Sequence, residues 1–134
     1  MTYNGIELYK SRGRYGVLVS PGFGAGWSTW GWEELAYDKR VIEFWLEHKD
    51  DEHFMGTVDI DGCFREKSRA YEEAAEFFKK TYGEVPYMGG FYQIELMFVK
   101  PGVGWKIEEC DGSEKLVTVE DEDFIVFPEE GEIK

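Results

Sequence analysis

Between Pro21 and Trp32 the chain reads Pro-Gly-Phe-Gly-Ala-Gly-Trp-Ser-Thr-Trp-Gly-Trp, with Gly22, Gly24 and Gly26 at alternate positions and Gly31 close behind. Glycine loses more conformational freedom on folding than any other residue, so glycines at this density rule out a long regular element. The segment must be a loop, and Trp27, Trp30 and Trp32 make it an unusually aromatic one. Regular structure is therefore expected on either side of it, not through it.

Upstream, Ile6–Lys10 and Tyr15–Ser20 are short runs rich in Tyr, Val and Leu around Ser11-Arg12-Gly13-Arg14, which predicts an N-terminal β-hairpin. Downstream, Val41, Ile42, Trp45 and Leu46 recur at helical spacing, predicting a helix within about residues 33 to 48. A second helix is predicted over Glu66–Tyr82. Ala70, Tyr71, Ala74, Ala75, Phe77, Phe78 and Tyr82 form its apolar stripe, Glu72, Glu73, Glu76, Lys79 and Lys80 its polar side, and Gly83 with Pro86 its stop. Residues 49 to 63 mix charge and glycine and read as a loop with at most a brief strand. Beyond Met88-Gly89-Gly90, the runs Tyr92–Lys100, Trp105–Cys110, Glu114–Glu120 and Phe124–Phe127 read as strands of a C-terminal meander, and Asp111-Gly112 is a strong two-residue hairpin signal. The expected fold is a single α+β domain over residues 1–134, an antiparallel or mixed sheet with two helices packed on one face.

A chain of 134 residues can bury one core without metal or disulfide staples, and an aromatic content of 17% distinguishes it from disordered acidic segments. The formal net charge of −13 makes phosphate backbones poor partners, because nonspecific nucleic-acid binding relies on Lys and Arg neutralising phosphates, and no direct nucleic-acid ligand is expected. The imbalance is concentrated in residues 108 to 134, where Glu108, Glu109, Asp111, Glu114, Glu120, Asp121, Glu122, Asp123, Glu129, Glu130 and Glu132 face only Lys115 and Lys134. Cys63 and Cys110 are too few for a disulfide framework. With no export signal and no apolar run of the roughly 18 residues that span a bilayer, a cytoplasmic protein without a membrane role is expected.

The Pro21–Trp32 loop follows a strand and invites comparison with phosphate-binding glycine loops. Its glycines give GxGxG instead of GxGxxG, and neither a Walker lysine nor a βαβ unit accompanies them. Two readings remain: glycines letting the backbone pass beneath core tryptophans, or a site in which aromatic faces stack a planar group beside the hydroxyls of Ser28 and Thr29. The candidate ligand-binding residues are Gly22, Phe23, Gly24, Gly26, Trp27, Ser28, Thr29 and Trp30. His48 and His53 bracket Asp50, Asp51 and Glu52 at a spacing that matches no standard metal motif, and the Asp59-Ile-Asp-Gly62 run fails as a calcium loop because Thr57 and Ser68 would hold its first and twelfth positions. No metal, no cofactor and no catalytic residue is assigned; no nucleophile elbow exists, and no carboxylate pair stands out as acid and base.

Tyr15-Gly-Val-Leu-Val-Ser-Pro-Gly-Phe-Gly-Ala-Gly-Trp-Ser-Thr-Trp30, the following Tyr37-Asp-Lys-Arg-Val-Ile-Glu43, and Ile107-Glu-Glu-Cys-Asp-Gly-Ser-Glu114 together resemble a family of small bacteriophage and prophage proteins with no assigned activity. Tyr87-Met-Gly-Gly-Phe91 looks like the glycine-aromatic link those proteins place before their last strands, and Cys110 departs from the aromatic expected there. The resemblance implies a phage accessory protein of the bacterial host cytoplasm, of the kind that serves takeover or counter-defence. The leading expectation is a non-enzymatic binder of a small, nucleotide-like ligand at the Gly/Trp loop. The alternative is an acidic mimic that inhibits a host nuclease or nucleic-acid-binding protein through its basic surface; an enzyme ranks third. A homo-oligomer is compatible with each.

Overall fold

A computed structural model of the chain describes residues 1–22, 26–49, 69–88, 94–118 and 125–127. The expected loop over 49 to 63 and the Asp59–Gly62 run fall, apart from Lys49, outside these residues. The α+β class and the antiparallel pairing hold throughout. The strands are β1 (Thr2–Tyr3), β2 (Ile6–Glu7), β3 (Lys10–Ser11), β4 (Arg14–Val19), β5 (Glu95–Val99), β6 (Gly104–Cys110), β7 (Ser113–Thr118) and β8 (Ile125–Val126). The helices are α1 (Glu34–Tyr37), α2 (Lys39–His48) and α3 (Arg69–Tyr82). None of the described helices is long and apolar enough to cross a membrane.

β4 organises the core. Residues 15 to 19 are all buried, and side chains alternate across a strand, so the two faces of β4 feed two different clusters. Leu18 joins Trp27 of the loop, Leu35 of α1 and the apolar stripes of α2 (Val41, Ile42, Trp45) and α3 (Ala74, Phe78). Tyr15, Val17 and Val19 join Leu8, Tyr37, Val99, Trp105 and Phe127 on the opposite side. In that second cluster Phe127 packs edge-on against Tyr3, Tyr15 and Tyr37, with centroids 5.2 to 5.6 Å apart.

The C-terminal strands follow their expected order along the chain but divide between two sheets. β5 runs antiparallel to β4, with Tyr15 opposite Val99 and Val19 opposite Glu95, closing a β3-β4-β5 sheet. β6 sits between β7 and β8 in a separate sheet. The predicted hairpin around Ser11–Arg14 forms with Lys10 opposite Tyr15, while Ile6 and Glu7 turn back instead onto Tyr3 and Thr2.

The helix expected over 33 to 48 is broken at Asp38, which is extended (φ −63°, ψ 121°) and bridges to Leu8. An aspartate oxygen competes for nearby backbone amides and favours the cap over the helix interior. Here it accepts from the Arg40 amide at 2.9 Å, starting α2 afresh. α3 runs as expected to Tyr82, with Ala74 and Phe78 inward. Gly83, at φ +85°, ends it by donating to the Lys79 carbonyl.

Candidate functional site

The Gly/Trp loop is stapled by a carboxylate from the other end of the chain. Trp27 to Trp30 close a 3₁₀ turn through two 3.2 Å bonds, Trp30 N to Trp27 O and Gly31 N to Ser28 O. That turn aims the Trp27 and Thr29 amides at one point, and Glu114 of β7, only 2% exposed, fills it. Its Oε2 accepts from Trp27 N at 2.7 Å, Thr29 N at 3.1 Å and Thr29 Oγ1 at 2.6 Å, and its Oε1 accepts from Ser20 N at 2.9 Å. Backbone amides converging on one anion are how glycine loops hold phosphates; here the anion is the protein's own. The two stretches Tyr15–Trp30 and Ile107–Glu114 thus meet at one joint.

The staple places the sequence-predicted residues in different roles. Trp27 is fully buried, its indole N–H donating to Leu35 O at 2.9 Å and its ring 5.6 Å from Phe78, so it offers no face for stacking. Trp30 is 40% exposed and lies 5.1 Å from Tyr87. Gly26 is a close approach: a Cβ there would meet Trp30 Cδ1 at 2.7 Å and Thr29 Oγ1 at 2.8 Å. Gly22 is a bend ahead of the turn, and Phe23 and Gly24 lie outside the described residues. Ser28 and Thr29 do line a cavity.

That cavity is a cleft of about 280 Å³ between the loop with α1 and the strand β6. Ser28, Thr29, Trp32, Glu33 and Ala36 form one wall; Trp105, Lys106, Ile107 and Ile125 form the other. Trp32 and Trp105, which sequence reasoning did not bring together, carry its chemistry. The indole N–H of each is shielded from solvent and has no hydrogen-bond partner. An unmade buried donor costs about 1–3 kcal/mol, and both of these belong to side chains that line the cleft. Glu33 supplies an acceptor on the same wall, and Lys106, 3.9 Å from Glu108, a cation opposite. Burial, then the charges of Glu33 and Glu34, raise the pKa of the neighbouring Tyr37 phenol well above its ordinary value, so that it stays neutral.

On the helical side Asp38 collects a bidentate Arg40 (Nε 3.1 Å, Nη2 2.7 Å) and the Tyr82 hydroxyl at 2.7 Å. Burial favours the protonated carboxyl, but the Arg40 and Tyr82 hydrogen bonds outweigh it and hold the Asp38 pKa below the ordinary value. Burial and then the bond to Asp38 raise Tyr82 far above its own. The group ties α2 to α3.

Of the His48–His53 cluster, His48 packs against Phe44 at 4.3 Å and lies 3.9 Å from Glu73; Asp50 to His53 are outside the described residues. Cys110 is an exposed free thiol. No protein-family model matches the chain, and no curated protein or solved structure does so.

Proposed function

We propose that the protein is a non-enzymatic binder of a small, flat, nucleobase-like ligand in the cleft between the Gly/Trp loop and β6. The observation that carries this reading is that Trp32 and Trp105, each holding an indole N–H without a partner, line one cleft. A heterocycle with ring nitrogens or carbonyls would satisfy both donors, its own N–H groups suit Glu33, and Ala36, Ile107 and Ile125 supply apolar contact for its faces. Size agrees: a cavity of about 150 Å³ holds one benzene, and this cleft is about 280 Å³. The phage resemblance supports placing such a binder in the bacterial host cytoplasm, where sequestering a nucleotide-derived signal is a counter-defence role.

The test is a panel of free bases and nucleosides read by melting temperature and tryptophan fluorescence. At least one member should raise the melting temperature and change the emission, and Trp32→Phe, which keeps the ring and removes the donor, should weaken that ligand about tenfold. A panel without any response sinks the reading.

A second reading rests on the tip of the β6–β7 hairpin, where Glu108 and Glu109 are exposed on a broad cleft shared with Cys110, Ser113 and Lys115. Such a face suits a basic protein surface. Capture of a host partner that weakens as salt is raised supports it, and capture unaffected by Glu108→Gln with Glu109→Gln argues against it.

A further inference from the structure

Three hairpin turns place both central residues at positive φ: Asn4-Gly5 (50° and 79°), Arg12-Gly13 (52° and 76°) and Asp111-Gly112 (50° and 85°). At the first position of such a turn Asn, Asp and Gly are favoured, because a short polar side chain tolerates the left-handed region. Two of the turns follow that preference. Arg12 does not, and strain retained at one of three otherwise equivalent turns points to use of the side chain.

The surroundings indicate the use. Arg12 lines a cleft of about 450 Å³ with Ser11, Arg14 and Phe98. The β4–β5 register ends with Tyr15 opposite Val99, and Arg14 and Lys100 are the residues next beyond that pair. Like charges so placed repel. Yet none of the side chains of Arg12, Arg14 and Lys100 has an ion pair or hydrogen bond among the described residues, in a chain with 28 acids against 15 Lys and Arg. Beside these cations Phe98 is 40% exposed. Uncompensated guanidinium groups next to an uncovered aromatic ring match an anion attached to a flat ring, by charge-assisted bonding and stacking.

We propose that this end of the β3-β4-β5 sheet binds a nucleoside monophosphate, its phosphate on Arg12 and Arg14 and its base on Phe98. Lys100 adds to the local positive field. The net charge of −13 disfavours long polyanions and leaves a ligand with one phosphate as the suitable size of charge. The site shares no residue with the Trp32–Trp105 cleft and does not depend on the reading given to that cleft.

Calorimetric titration with adenosine 5′-monophosphate, ribose 5-phosphate and adenosine tests it. The monophosphate should bind at low salt, and both fragments more weakly. Arg12→Asn installs the residue the turn favours, so it should leave the melting temperature equal or higher while weakening the monophosphate at least about tenfold, the loss of one charge-assisted bond. Phe98→Thr should weaken the monophosphate and leave ribose 5-phosphate unchanged. Undetectable binding of the monophosphate at millimolar concentration overturns the proposal. So does binding that survives Arg12→Asn, and if that binding is instead lost in Trp32→Phe the ligand sits in the other cleft.

Discussion

Ser20 and Glu114 bond each other in both directions: the Ser20 amide donates to Oε1 of Glu114 at 2.9 Å, and the Glu114 amide donates to the Ser20 carbonyl at 2.8 Å. The pair joins the end of β4 to the start of β7, and the remaining carboxylate oxygen sets the Gly/Trp turn. No Lys or Arg pairs with Glu114 among the described residues, so its charge is stabilised by four donors in place of water.

Glu114→Gln therefore tests how much of the loop's geometry depends on an acceptor with two oxygens. The amide must turn its NH₂ toward either Ser20 or the three loop donors, and the smaller loss is at Ser20. The expected cost is about 2 kcal/mol, rising to about 4 kcal/mol in Glu114→Ala, where every donor is orphaned. Urea denaturation checks this as a lower midpoint at unchanged slope.

Asp38 gives the stability a pH dependence of definite sign. Its folded-state pKa lies below the ordinary 3.8, so its contribution is complete above the unfolded value and is lost as pH falls through the folded one. Acid denaturation followed between about pH 5 and pH 2 should show this loss, and Asp38→Asn should flatten that limb. Tyr82→Phe removes one donor and should move the limb to higher pH.

Gly26→Ala should destabilise by about 1–3 kcal/mol, because the new methyl has no unoccupied volume to enter. It would press on Trp30 Cδ1 and on Thr29 Oγ1, and the latter is held at 2.6 Å from Glu114. A melting temperature equal to that of the parent protein would contradict the packing described around this turn.

Phe78 is fully buried between Trp27, Phe44, Phe77 and Tyr82, with centroids 5.1 to 6.5 Å away. Phe78→Ala should cost about 3–5 kcal/mol, as expected for an aromatic removed from a core that collapses only partly around the gap. Chemical denaturation monitored by circular dichroism measures it.

Features set by neighbouring residues were legible in the sequence. The stripe through Ala74 and Phe78 announced α3, and Asp111-Gly112 announced the β6–β7 turn. The break at Asp38 was hidden because the apolar spacing of Val41, Ile42 and Trp45 fits a helix begun earlier as well as one restarted there. The partner of β5 is a contact across the whole molecule, for which no local pattern exists. Glu114 was invisible among eleven acids of the last third. Its one signal was position: it shares a strand face with Leu116, where a charge is out of place unless it is bonded. The loop was identified as the place to look, but Gly26 and Trp27 serve the staple and the core, and the meeting of Trp32 with Trp105 depends on tertiary packing.

The Glu114 staple also imposes an order on biosynthesis. Trp27 is made 87 residues before the carboxylate that will accept its amide, and Ser20 precedes that acceptor by 94. While the nascent chain lengthens through α1, α2 and α3, the amides of the turn lack the acceptor that they bond in the folded protein. The cleft beside Ser28 and Thr29 gains its full second wall only after β6 and β8 have left the ribosome, and the turn its anchor only after β7 has.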